Sequence, residues 1–92
     1  VLSVSPSASL RNDIFKFILN GYNNNVDPNT VTTFGVYHVA LTSHSPSGSN
    51  EYGMLLVLNA GTQAVAQLFL NSSNNLYYRY RNTDTWLSWK QA

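Results

Sequence analysis

The run Tyr52-Gly53-Met54-Leu55-Leu56-Val57-Leu58-Asn59 is followed by Ala60-Gly61-Thr62 and then by Ala64-Val65-Ala66-Gln67-Leu68-Phe69-Leu70. Two short apolar runs separated by a Gly-bearing break read as strands joined by a turn, because neither run is long enough for a stable helix. The first run is so densely apolar that burial on both faces is expected. Asn71 to Asn75 makes the next turn and Leu76 to Arg81 the returning strand. Asn82 to Thr85 turns again, and Trp86 to Gln91 is expected as a last strand. Such short connections tie antiparallel neighbours, so the final part of the chain predicts a four-stranded meander.

Upstream, Gly35 precedes Val36 to Thr42, with Val36, His38 and Ala40 on one face and Tyr37, Val39 and Leu41 on the other. Ser43 to Asn50, rich in Ser with Pro46 and Gly48, predicts a loop. Asn20-Gly21 predicts a turn, and Asn23 to Asn29, with Pro28, a polar loop. The stretch Leu10 to Leu19 fits two patterns. Leu10, Ile14, Phe17 and Ile18 have helical spacing, whereas Phe15, Phe17 and Leu19 alternate as on a strand. The strand is the preferred reading. Val1 to Ser9 reads as an extended lead-in. The expected organisation is thus an attachment segment over 1–25 and an all-β domain over 26–92, a small antiparallel β-sandwich or meander.

Composition narrows the function. Of 92 residues, 10% are charged and the formal charge is +1, against roughly 25% charged residues in an average soluble chain. That is too little cation density for a nucleic-acid backbone or a polybasic membrane anchor. The longest apolar run, Met54 to Leu58, is far below the ~20 residues of a spanning helix, so membrane insertion is not expected. The absence of cysteine excludes a disulfide framework and a thiolate metal site. Asn, Ser and Thr supply 30 residues, and aromatics 13%, which suits a neutral, extracellular-facing surface able to stack and hydrogen bond. A domain this small without disulfides gains from association with copies of itself. The start at Val1, with no secretory signal in view, is read as a piece of a longer protein.

Catalytic signatures are absent: no Gly-x-Ser-x-Gly elbow, phosphate loop or His-Glu-x-x-His occurs. The four carboxylates, Asp13, Asp27, Glu51 and Asp84, flank expected turns, where such groups bind their own backbone. No enzyme and no cofactor are expected. His38 and His44 lack companion ligands, and His38 is read as a half-buried structural imidazole; a metal would need copies of one histidine on a symmetry axis. Asn71-Ser72-Ser73 matches a glycosylation acceptor, a weak signal in so Asn-rich a chain.

The end of the chain is more informative. In Leu76-Tyr77-Tyr78-Arg79-Tyr80-Arg81, alternation places Tyr78 and Tyr80 on one face and Tyr77, Arg79 and Arg81 on the other. On one continuous strand Trp86 and Trp89 face opposite sides, so one plugs the core and the other covers Arg79 or Arg81 through a cation–π contact. Tyr77, Arg79, Arg81 and Trp86 are the candidate carbohydrate-binding residues, with rings to stack on a sugar and guanidinium groups to reach its hydroxyls. The alternative is an aromatic core closed by the last hairpin, and Trp89 is assigned there.

Taken in order, these pieces resemble the pyocin knob domain of phage and phage-like bacteriocin tail fibres. Val31-Thr32-Thr33-Phe34-Gly35-Val36-Tyr37 is similar to that family's opening, with Phe34 where a Pro often precedes the Gly. Gly53 to Leu58 resembles its central strand, and Ala66-Gln67-Leu68-Phe69 its Gln-bearing strand. Tyr77-Tyr78-Arg79-Tyr80-Arg81 resembles its Tyr-x-Arg strand, and Trp86-x-x-Trp89-Lys90 its close. The resemblance covers residues 26–92. It implies a β-rich knob near the distal end of a homotrimeric fibre on the virion. Its expected task is adsorption to a host-surface polysaccharide or teichoic acid, with trimerisation or intramolecular-chaperone work in fibre assembly as the alternative.

Overall fold

The computed structural model describes residues 19–92. Within them the chain is all-β, with one short 3-10 turn and no α-helix. The elements are β1 (Leu19–Val26), the 3-10 turn Pro28–Thr30, β2 (Gly35–Leu41), β3 (Glu51–Leu58), β4 (Val65–Asn71), β5 (Leu76–Asn82), β6 (Thr85–Trp86) and β7 (Lys90–Gln91). All strands belong to one sheet in the order β1-β2-β3-β4-β5-β6, with β7 also beside β5. The expected meander runs antiparallel from β2 onward. The first eighteen residues, which include Asp13 and most of the ambiguous segment 10–19, lie outside the described residues.

β1 departs from expectation. The Asn20-Gly21 turn and the beginning of the Asn23–Asn29 loop are instead a strand paired in parallel with β2. Asn and Gly disfavour strands, and the element carries their mark. Gly21 and Asn25 have positive φ, and the register shifts twice, between Leu19 and Tyr22 and between Asn23 and Val26. Pairing with β2, helped by Asn20 Nδ2 donating to Val36 O (3.2 Å), overrides the local preference. β1 therefore runs across the boundary expected between residues 25 and 26.

The two faces of the sheet differ. One face carries Val39, Leu41, Leu55, Val57, Val65 and Phe69, all fully buried. Its cover is not a second sheet but the segment after β1 and the loop after β2. Pro28 is buried, Val31 packs on the core, and Trp89 Nε1 donates to His44 O (2.8 Å). Asp27 caps the 3-10 turn by accepting from Asn29 N (3.0 Å). The opposite face has no cover among the described residues. The burial of β3 on both faces is thereby corrected: Leu55 and Val57 are buried, while Tyr52, Met54 and Leu58 are exposed.

The chain end also differs from expectation. β6 and β7 are two short strands, and the residues between them belong to neither. Arg81 pairs with Trp86, but Tyr78 pairs with Lys90, so the last segment holds one residue more than β5 between these points. Leu87 and Ser88 share the space opposite Tyr80, to whose carbonyl Leu87 N donates (2.9 Å). An extra residue returns the following side chain to the starting face. Trp86 and Trp89 consequently share a face rather than opposing each other.

Candidate functional site

On the covered face, Arg79 is the centre of a polar and aromatic cluster. Its guanidinium carbon lies 3.9 Å from the Trp86 ring centroid and 4.4 Å from that of Trp89. Arg79 Nε donates to Gln67 Oε1 (2.9 Å), and Gln67 Nε2 donates to Pro28 O (2.7 Å) and Val31 O (2.8 Å). Gln67 is fully buried and Arg79 only 7% exposed. This chain of bonds ties β5 and β4 to the covering segment. Burial pushes the Arg79 pKa down to about 10, against the opposing attraction of Asp27. Arg79 Nη2 and Asn29 Oδ1 are buried without a hydrogen-bond partner.

The four candidate sugar contacts fall close together but serve the fold in different degrees. Arg79 turns its donor and its flat faces into the protein. Arg81 lies 5.5 Å from the Trp86 centroid and donates from Nε and Nη2 to Gln63 O (3.3 and 3.1 Å). Tyr77 and Trp86 are half-buried against the core. Trp89 joins them and meets Phe69 at 6.4 Å between centroids. A depression of about 420 Å³ opens beside the cluster, lined by Asn29, His44, Ser45, Trp86, Ser88 and Trp89 among others. The sequence reading missed Asn29, His44 and Ser88 as neighbours of the tryptophans, since the covering loops bring them in from distant positions.

The remaining polar candidates are accounted for locally. His44 Nδ1 lies 2.9 Å from Asp27 Oδ1. His38 is exposed rather than half-buried, with its ring 4.7 Å from that of Tyr22 in an edge-on contact. No group of three or more potential metal ligands exists among the described residues. Glu51 accepts from Ser47 N and Oγ (both 3.0 Å) and from Asn71 Nδ2 (2.8 Å). Burial raises its pKa, yet these bonds together outweigh burial and hold it below the ordinary value. Asn71 also accepts from Ser73 N and Asn75 N (both 3.0 Å), so its amide is committed to the turn.

The uncovered face is the larger feature. Ten large hydrophobic residues are exposed among the described ones: Leu19, Tyr22, Tyr52, Met54, Leu58, Leu70, Leu76, Tyr78, Tyr80 and Leu87. Strand register puts them on a single side. Tyr22, His38, Met54, Leu70 and Leu76 form one row across the sheet, and Leu19, Val36, Leu56, Leu68 and Tyr78 the next. Leu58, Ala66 and Tyr80 form a third, with Leu87 beside Tyr80. Lys90 is the single charged strand residue whose register places it on this face among the described residues. At roughly half exposure, side chains of this size present on the order of 700 Å² of apolar surface. That exceeds the few hundred Å² usual for a contiguous patch on a monomer. It approaches the ~800 Å² that each partner contributes to a specific interface.

Comparison of the chain with protein-family models, with curated proteins and with solved structures finds no match.

Proposed function

We propose that this chain is a self-associating β knob of the tail-fibre kind, whose uncovered sheet face packs against copies of itself. The observation that carries the reading is the placement of the ten exposed large hydrophobic residues among the described ones on one side of one sheet. Burying such a face against another copy stabilises both partners by about 25 cal/mol per Å² of apolar area, before association costs. Identical chains suit it because the face is nearly free of charge and so asks for no complementary charge from its partner. The assembly role in a virion fibre follows from joining this face to the order of motifs along residues 26–92.

The test is the mass in solution of the chain with and without the double substitution Leu70→Lys/Tyr78→Lys. Both residues are solvent-exposed in the single chain, so the change is expected to leave the fold intact. The native chain is expected to run as an oligomer and the variant as a monomer with an unchanged far-ultraviolet circular dichroism spectrum. A native chain that stays monomeric at hundreds of micromolar overturns the proposal.

A second reading, adsorption to a host-surface polysaccharide or teichoic acid, is favoured by the depression beside Trp86 and Trp89. Its lining mixes aromatic edges with the polar groups of Asn29, His44, Ser45 and Ser88. Tryptophan fluorescence of the native chain should change on adding host wall polymer and stay unchanged for His44→Ala/Ser88→Pro. An unresponsive native chain sinks this reading and leaves the assembly role standing.

A further inference from the structure

An Asn side-chain carbonyl can close a five-membered ring with the backbone nitrogen that follows it, most readily where a Gly leaves that nitrogen unshielded by a Cβ. Asn20-Gly21 is the single Asn-Gly pair of the sequence. It sits where the register of β1 shifts between Leu19 and Tyr22, so neither residue has a partner opposite it in β2. Gly21 has φ +65°, and nothing lies within 4 Å of the place a Cβ would take. Asn20 is exposed, with Nδ2 donating to Val36 O (3.2 Å). Asn23 Nδ2 in turn donates to Asn20 O (3.3 Å). That oxygen and the Gly21 N–H belong to one peptide group. A donor on the oxygen therefore stabilises the negative charge that develops as the nitrogen loses its proton.

Asn71-Ser72 provides the contrast within the same chain. Asn71 Nδ2 donates to Glu51 Oε1 (2.8 Å), and Asn71 Oδ1 accepts from Ser73 N and Asn75 N (both 3.0 Å). Ser72 N, the nitrogen that would have to attack, donates to Tyr52 O (2.8 Å). Both reacting groups are occupied there.

We propose that Asn20-Gly21 is a self-modifying site, in which Gly21 N attacks the Asn20 side chain with the help of Asn23. The Gly21 nitrogen gives up its proton and bonds to Asn20 Cγ. The Cγ–Nδ2 bond breaks, and Nδ2 leaves with that proton as ammonia. Water then opens the cyclic imide, and no electrons change hands. Opening at Cγ leaves an aspartyl residue; opening at the main-chain carbonyl leaves an isoaspartyl linkage, with one more methylene in the backbone. Either product carries a carboxylate that has no hydrogen to donate to Val36 O, so the modified β1 is held less firmly on β2. An uncharged edge strand becomes a charged and loosened one.

The test ages the 92-residue chain at mildly alkaline pH and follows each Asn by peptide mapping, with isoaspartate O-methyltransferase marking the isoaspartyl form. Asn20 is expected to convert at least about tenfold faster than Asn71, whose reaction must first break several hydrogen bonds. Asn23→Ala should slow conversion at Asn20 about fivefold, the worth of one hydrogen bond. A purely structural Asn23 gives the opposite sign, because loosening the segment speeds ring closure. Hydrogen exchange of the β1 amides should quicken in the converted chain and in Asn20→Asp. No conversion at Asn20, or conversion at Asn71 just as fast, overturns the site. An unchanged or faster rate in Asn23→Ala overturns the assistance, and unaltered exchange after conversion overturns the loosening of β1. Should Asn23→Ala already loosen β1 before ageing, Asn23→Asp, of the same shape but without the donor, carries the same test.

Discussion

At the residue scale, the buried Gln67–Arg79 pair is a structural device before it is a recognition device. A buried donor or acceptor left without its partner costs about 1–3 kcal/mol. Gln67→Leu removes two donors from Pro28 O and Val31 O and the acceptor of Arg79 Nε. It is expected to lower stability by about 3 kcal/mol in urea denaturation. A loss near zero would show that the covering segment is held by apolar contacts alone. Trp86→Ala removes a ring from Arg79, so its expected signature is a clear drop in melting temperature even with no sugar present. Arg79 was visible in the sequence as one of the Tyr-x-Arg pair, but not its burial. Alternation gives the side on which a residue lies, not what lies over that side.

Glu51 gives a pH prediction at the same scale. Its pKa in the folded chain is below the ordinary 4.5. In the interval between the two values the unfolded chain binds more protons, so folding is favoured as pH rises. The contribution is complete above the ordinary value and is lost as pH falls through the folded one. Glu51→Gln should therefore flatten the acid limb of stability below about pH 4.5, leaving the neutral region nearly parallel to the native curve. An unchanged acid limb would mean that the Ser47 and Asn71 bonds do not favour the charged form.

At the scale of elements, β2 to β5 were legible because their apolar and β-branched runs are bounded by strong turn signals. β1 was not, because its Asn-rich sequence belongs by preference to a loop and becomes a strand only through pairing with β2. The Trp86–Trp89 geometry was also hidden, since one extra residue reverses a face and nothing in the composition announces it. Gly53 shows the closeness of the β3–β4 approach. A Cβ there would lie 2.2 Å from Leu70 O and 2.7 Å from Asn71 Cα, both backbone atoms that cannot swing away. Gly53→Ala is expected to cost about 3 kcal/mol or more, read by chemical denaturation. Retention of native stability would imply that β3 and β4 separate easily.

For the whole molecule, the sequence showed how much apolar residue there was but not where it went. Met54 to Leu58 looked like a strand buried on both sides, and among the described residues it is covered on one. The difference is a face that a second chain can complete, which gives a physical meaning to the expected dependence on identical copies. Such a face also makes the isolated chain prone to unspecific association when its proper partner is diluted or blocked. The candidate sugar site, by contrast, was only partly legible: the tryptophans and arginines were named, but half of the depression comes from loops.

Hydroxyl-radical footprinting across a dilution series, read by mass spectrometry, tests the role of this face most directly. Tyr52, Met54, Tyr78 and Tyr80 should be protected at high concentration and become reactive together on dilution, while buried Phe69 stays unreactive throughout. Equal reactivity of those four residues at every concentration would contradict the account.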